Sequence, residues 1–183
     1  MSKSVFFHHH DSPVGTLLLL SNGDALIGLY TAKDGVARPA GPEAIPDVGP
    51  FRDVMSQLDA YFAGELSAFD LPLRFSGTRF QEAVWTALCT IEYGVTISYR
   101  ELAIRIGNPR AMRAVGAANG QNPISIIVPC HRVVGANGDL VGYGGGLDRK
   151  RWLLGHERAA APRGTHWKED QGSWTARSAA VVR

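Results

Sequence analysis

Two helix-start signals lie close together between Ser98 and Asn119, and they constrain the fold more than any other feature of this chain. Ser98 followed three residues later by Glu101 is a capping box. The hydroxyl accepts from a backbone N–H of the first turn, and the glutamate accepts from the N–H of the cap itself. A short helix through Ile106 is predicted. Gly107-Asn108-Pro109 then supplies a stop, a capping side chain and a proline suited to the first helical position. A second helix over about residues 110–119 is expected. Two short helices across a tight glycine turn form a helix-turn-helix pattern, which occurs both in DNA-binding proteins and in simple packing units.

The second helix is unusually thin, because Ala111, Ala114, Gly116, Ala117 and Ala118 carry almost no side chain. A helix is about 10–12 Å across with its side chains, whereas the DNA minor groove is only about 6 Å wide. An Ala/Gly face allows close backbone approach, to DNA or equally to another helix. Arg113 is the one long cationic side chain near the helix centre. The charge distribution points the same way. Residues 1–77 hold five Lys/Arg against nine Asp/Glu, residues 78–158 hold ten against six, and residues 159–183 hold four against two. Any polyanion belongs to the middle of the chain.

The first half carries no chemical motif. Residues 5–9, 17–20 and 25–30 read as strands separated by Asp11-Ser12-Pro13-Val14-Gly15 and Asn22-Gly23-Asp24, a small antiparallel meander. Residues 33–50, with four prolines and three glycines, read as a long loop. Phe51, Val54, Met55, Leu58, Tyr61 and Phe62 share one face of a helix over 51–63. The expected class is α/β of the α+β kind, with a small antiparallel sheet and helix module followed by a mainly helical domain with a helix-turn-helix. The expected boundaries are 1–77 for the scaffold, 78–158 for the chemistry, and a disordered tail at 159–183. Arg163, Lys168, Arg177 and the two tryptophans of that tail could instead touch DNA.

No apolar run approaches the roughly 18 residues of a membrane span, and the start does not read as a signal peptide, so a cytoplasmic protein is expected. Two cysteines make no disulfide framework, and zinc spacing is absent. Cys89, within a predicted helix, reads as a core thiol. His8-His9-His10 would alternate across a strand, which argues against a shared metal.

The nucleophile candidate is Cys130. An apolar run from Asn122 ends at Pro129 and delivers the cysteine beside His131 and Arg132. Thiolate is the reactive form, and an adjacent base or cation favours it. A hairpin-type turn follows at Gly135-Ala136-Asn137-Gly138, then a glycine-rich loop, Val141-Gly142-Tyr143-Gly144-Gly145-Gly146, able to offer backbone N–H groups to a flat polar ligand. Asp148 caps the last predicted helix, whose Glu157 could orient His131 as the third member of a triad does.

Pro129-Cys130-His131-Arg132-Val133 resembles the signature of the O6-alkylguanine-DNA alkyltransferases. The similarity extends over about residues 78–158, through Ile97-Ser98-Tyr99, Gly107-Asn108-Pro109, Arg113-Ala114-Val115-Gly116, Asn122-Pro123, Gly142-Tyr143 and Trp152-Leu153-Leu154 with Glu157. Residues 1–72 are similar to the family's less diagnostic half through Ser12-Pro13-Val14-Gly15 and Tyr61-Phe62-Ala63-Gly64. Glu92 departs from a common family proline, and only a structural effect is expected of it.

The resemblance implies roles. Cys130 would accept the alkyl group, His131 would take its proton through a water, and Glu157 would hold His131. Asn122 would brace the turn behind the cysteine, and Tyr99 would donate to the departing guanine oxygen. Arg113 would fill the gap left by a flipped nucleotide, while Ser98, Ala111, Ala114 and Gly116 would lie against the minor groove. Val133, Val141, Tyr143, Gly144 and Gly145 would wall the base pocket. The partner implied is double-stranded DNA containing O6-alkylguanine, with no cofactor, no metal, no membrane and no obligatory protein partner; assembly of several copies along DNA stays open. Three rivals remain on sequence alone: a lesion-binding protein without chemistry, a helix-turn-helix transcription factor, and a cysteine hydrolase that turns over.

Overall fold

The computed structural model describes residues 4–32 and 36–160, together with the backbone of Trp167–Asp170 and Ser173–Ala176. The chain forms two compact units, one of residues up to Thr78 with Asn122–Val128, the other of Arg79–Gln121 with the residues from Pro129 onward. The mixed α+β class agrees with the sequence reading.

The first unit is built on a four-stranded sheet in the order β3-β2-β1-β4, from β1 (Phe6–His10), β2 (Leu17–Ser21), β3 (Leu26–Thr31) and β4 (Ile45–Pro46). The meander pairs antiparallel, as expected. The sheet is nevertheless mixed, because the long loop contributes β4, which pairs parallel to β1 through Phe6 and Phe7. Helix α1 (Arg52–Phe62) buries Val54, Leu58 and Tyr61, spaced four and three residues apart on one face. Burial of each such side chain contributes roughly 1.5–3 kcal/mol. The β1 histidines alternate. His8 stacks on Phe51 and His10 reaches Asp59 at 2.8 Å, whereas His9 reaches the Arg38 carbonyl at 2.9 Å.

Asn122–Val128 belongs to this unit rather than to the second. Leu29 N–H donates to Pro123 O at 2.9 Å, and Ser125 N–H donates back to Leu29 O at 3.0 Å. The segment is turned, not extended, and Ile126 sits at φ 73. A β-branched residue there is a true outlier. Asn122 closes the loop: Nδ2 donates to Val128 O at 2.8 Å, and Oδ1 accepts from Ile124 N–H at 3.0 Å.

The second unit holds α2 (Arg79–Leu88), β5 (Ile97–Ser98), α3 (Tyr99–Arg105), α4 (Met112–Gly120), β6 (Val133–Val134) and α5 (Leu147–Ala160). β5 and β6 pair parallel. Trp85 of α2 donates its indole N–H to Ala118 O of α4 at 2.9 Å. The capping box at Ser98 and Glu101 forms in full, and Gly107 stops α3 at φ +72. The second helix of the pair starts later than expected. Ala111 is its N-cap, without a capping side chain. Asn108 instead opens a turn whose carbonyl accepts from Ala111 N–H at 3.0 Å. Proline suits the second position of such a turn as well as it suits a helix start. Asp148 lies inside α5, one residue after its start, and bonds Arg151 at 2.8 Å.

Cys89 is not a core thiol. It follows the last residue of α2, is exposed, and its S–H donates to Trp85 O at 3.4 Å. Glu92 is exposed in the turn that its carbonyl closes with Val95 N–H. Of the tail, Ala159 and Ala160 end α5, and the backbone of β7 (Trp167–Asp170) pairs antiparallel with β8 (Ser173–Ala176). The rest of the region expected to be disordered, and the side chains of Arg163, Lys168 and Arg177, lie outside the described residues. No helix among the described residues is long and apolar enough to cross a membrane.

Candidate active site

Cys130 begins a single 3-10 turn, Cys130–Arg132, where the chain rejoins the second unit. All three residues of the turn are buried. His131 has no exposed surface, and its Nε2 lies 2.8 Å from Glu157 Oε1. Glu157 is presented by α5 on the same buried stripe as Leu153 and Leu154. It also accepts from Arg132 Nε and Nη2, both at 2.9 Å, and from the Gly94 N–H at 3.0 Å. Arg132 Nη1 is in turn spent on the Ile91 carbonyl.

Burial alone would raise the Glu157 pKa. The hydrogen bond from His131, together with the charge and hydrogen bonds of Arg132, outweighs it and holds the carboxyl well below its usual range. An ionised carboxylate only accepts, so the shared proton sits on His131 Nε2. Burial lowers the His131 pKa against the opposing pull of Glu157, which keeps the ring neutral. Nδ1 therefore holds the lone pair. It is buried and has no hydrogen-bond partner among the described residues.

Tyr99, at the start of α3, is half-buried. Its hydroxyl donates toward Val141 O at 3.3 Å and Gly142 O at 3.4 Å. Burial, with the nearby Cys130 adding to it, raises the Tyr99 pKa and keeps the proton in place. Gly142 stands at φ +56, and a Cβ there would come within 3.2 Å of the Tyr99 hydroxyl, so this loop position needs glycine. Tyr143 has a buried hydroxyl without a partner among the described residues, and burial raises its pKa well above the ordinary value. Val133 is buried in β6, Gly144 is exposed, and the Gly145 carbonyl accepts from Arg149 at 2.7 Å.

On α4, Arg113, Ala114 and Ala117 are exposed, Ala111 and Gly116 are partly covered, and Val115 and Ala118 are buried. The small residues thus serve both purposes left open above: Ala118 packs under Trp85, while the opposite face stays bare. A Cβ on Gly116 would lie 3.7 Å from the Tyr99 ring. The Ser98 hydroxyl accepts the Glu101 N–H at 3.1 Å. Asn122, the remaining expected site residue, acts within the first unit as described. Among the described residues no cluster of His, Cys, Asp or Glu could hold a metal ion.

Two charged residues escaped the sequence reading. Arg132 secures Glu157. Lys150 is fully buried, with Nζ donating to Val133 O at 2.6 Å and Val141 O at 2.7 Å, and burial lowers its pKa to about 8. A signal for Lys150 was present: it lies on the same helical stripe as Leu153, Leu154 and Glu157.

A helix-turn-helix unit with a bare small-residue face, carrying a buried cysteine beside a carboxylate-held histidine, is the arrangement expected of a nucleic-acid-binding protein with a reactive thiol. Residues 79–159 match the 6-O-methylguanine DNA methyltransferase, DNA binding domain, and residues 5–75 match the 6-O-methylguanine DNA methyltransferase, ribonuclease-like domain. The chain belongs to the O6-methylguanine DNA methyltransferase family. It is 54% identical over 152 residues to a methylated-DNA–protein-cysteine methyltransferase of Mycobacterium tuberculosis, covering 83% of this chain and 92% of that one. A protein of the same name from Methanosarcina barkeri is 49% identical over 146 residues, covering 79% and 91%. The crystal structure of Mycobacterium tuberculosis OGT in complex with DNA superimposes with a TM-score of 0.80 at 51% identity, covering 86% and 96%.

Proposed function

We propose that this chain repairs O6-alkylguanine in double-stranded DNA by moving the alkyl group onto the sulfur of Cys130, once per molecule. The observation that carries the reading is the buried His131–Glu157 pair at 2.8 Å, adjoining Cys130 in a helix-turn-helix unit. The thiol proton passes through a water to His131 Nδ1, and Glu157 stabilises the imidazolium that forms. Sulfur attacks the alkyl carbon, a carbon–sulfur bond forms, and the bond to the guanine oxygen breaks. Tyr99, which keeps its proton, donates to that oxygen, so the leaving group is a neutral base. The product is a thioether without a carbonyl for water to attack, so turnover stops.

A base stacked in a duplex is out of reach of a buried thiol, which requires flipping. Arg113 then fills the vacated stack while Ser98, Ala111, Ala114 and Gly116 face the minor groove. Val133, Val141, Tyr143, Gly144 and Gly145 wall the pocket, and Asn122 braces the loop ahead of Pro129. The partner is alkylated DNA in the cytoplasm, with no obligatory protein partner. We propose the division into 1–77 and 78–158 as a functional one, scaffold and chemistry, distinct from the two compact units, since Asn122–Val128 packs with the first.

Intact mass after incubation with a methylated duplex tests the reading. One methyl per protein, on Cys130 and absent in Cys130→Ser, is expected. The Ser variant should still bind DNA. Methyl on Cys89, or continued turnover, overturns the assignment.

A further inference from the structure

We infer that Ile126 is a positioning residue for alkyl transfer: it holds a strained turn by which the first unit fixes the chain that enters Pro129 and Cys130. The inference rests on the alkyl-transfer reading above. Ile127 N–H donates to Ser125 O at 2.9 Å, across Ile126 alone, and Ile126 stands at φ 73. That pairing and that φ make a γ-turn of the rare, strained kind. Glycine adopts such a φ freely, and among the described residues Ile126 is the one non-glycine residue that adopts it. Its neighbours are committed on both sides. In front, Leu29 of β3 donates its N–H to Pro123 O at 2.9 Å and accepts from Ser125 N–H at 3.0 Å. Behind, Val128 donates its N–H to Ile124 O at 3.0 Å and accepts from Asn122 Nδ2 at 2.8 Å. With both ends fixed, the reversal of the chain falls on Ile126.

A glycine would hold this turn without strain, and it would also let the turn move. Isoleucine locks it. Ile126 is 0% exposed, so leaving φ 73 would carry a branched side chain out of close packing. Strain of this kind persists only where the surroundings over-determine it, and it gathers at functional sites. The chemistry lies close by in the chain. Val128 is followed by Pro129, whose ring fixes its own φ, and then by Cys130. A displacement at the turn therefore passes through a stiff residue to the nucleophile. Transfer is sensitive to such displacements, since a misplacement of about 1 Å can cost some 100-fold in rate. The first unit, which carries no chemical motif, thus takes part in the reaction through the backbone of Leu29 and the turn at Ile126.

The test measures single-turnover transfer from free O6-benzylguanine, per folded molecule, at a temperature where every variant is folded. Ile126→Ala and Ile126→Gly empty nearly the same space. Alanine keeps the Cβ that strains φ 73 and, without the isoleucine packing, relaxes out of the turn, whereas glycine keeps the turn at no steric cost. Alanine should slow transfer by at least about 10-fold, and glycine should restore the rate to within a few-fold of the parent's. Leu58→Ala, in the buried stripe of α1 in the same unit, should weaken the fold and leave the rate per folded molecule at the parent's. Folded Ile126→Ala at the parent's rate overturns the inference, as does glycine as slow as alanine, or an equal loss in Leu58→Ala. If the alanine variant does not fold, Ile126→Gly decides by hydrogen exchange at the Ile127 amide. Protection and rate should be kept together or lost together, and either one without the other overturns the inference. If the parent reacts with neither benzylguanine nor a methylated duplex, the alkyl-transfer reading itself fails and this inference with it.

Discussion

Arg132 and Glu157 are joined by two hydrogen bonds of 2.9 Å each, so the carboxylate that holds His131 is itself held by the residue next to that histidine. The arrangement is closed. Arg132 directs three donors inward, two to Glu157 and one to the Ile91 carbonyl, and its guanidinium lies 5.6 Å from the Tyr93 ring centroid. Arg132→Met should therefore leave a buried carboxylate short of two hydrogen bonds and of its neighbouring positive charge. The expected loss of stability is about 3–5 kcal/mol, measurable as a lower urea midpoint. A loss near zero would mean that the pair merely breaks even with apolar packing.

Glu157 also gives the chain a signature in acid. Its folded pKa is depressed, so its contribution to stability is fully present above the ordinary carboxylate value of 4.5 and is lost as pH falls from there toward the depressed folded value. Unfolding free energies of the parent and of Glu157→Gln should differ most near neutrality and converge on acidification below about pH 4. A constant difference across that range would show that the carboxylate is not ionised in the folded protein.

Lys150 behaves in the opposite sense. Its folded pKa of about 8 lies below the ordinary 10.5, so the folded state binds fewer protons than the unfolded chain between those values. Stability from this group therefore rises with pH over that window. The stability advantage of the parent over Lys150→Met should grow between about pH 8 and pH 10.5, by up to about 3 kcal/mol. An advantage that shrinks on alkalisation would mean that the ammonium, not the amine, is the form the site was built for.

The parts of the fold that the sequence displays are those set by neighbours in the chain. Ser98 and Glu101 satisfy each other within one turn, so their capping box is visible as a spacing. The strands of the meander show because Gly23 and Gly15 punctuate them. Asn108 and Pro109 failed as a helix start because the same pair serves a turn equally well, and only the surrounding packing decides. Cys130, His131 and Glu157 could be paired because a signature and an amphipathic helix each pointed at the other. Arg132 carries no such signal, and the place of Lys150 on the Glu157 stripe says nothing of its partners. Lysine and arginine normally read as surface, and what buries these two is a set of carbonyls at Ile91, Val133 and Val141 brought in by tertiary structure. Asn122–Val128 was legible as apolar and illegible as part of the first unit, because its partner is Leu29, far away in the chain.

Arg113→Ala tests whether flipping and chemistry are separable. Arg113 is exposed on α4 beside Ala114, Gly116 and Ala117, none of which can reach into a base stack. Flipping a nucleotide costs a few kcal/mol, offset in part by whatever occupies the gap. Without the arginine, repair of a methylated duplex should slow strongly, by about 100-fold if some 3 kcal/mol of that offset is lost. Free O6-benzylguanine needs no flipping, so its rate should stay close to the parent's. The comparison is between two rate ratios, and damage to the fold would lower both equally. Equal losses in a folded variant would move Arg113 into the chemistry or into a structural contact. No loss in either would leave it a surface charge, and the wedge would have to be sought elsewhere on α4, with Met112, 47% exposed at the first helical position, the next side chain long enough to serve.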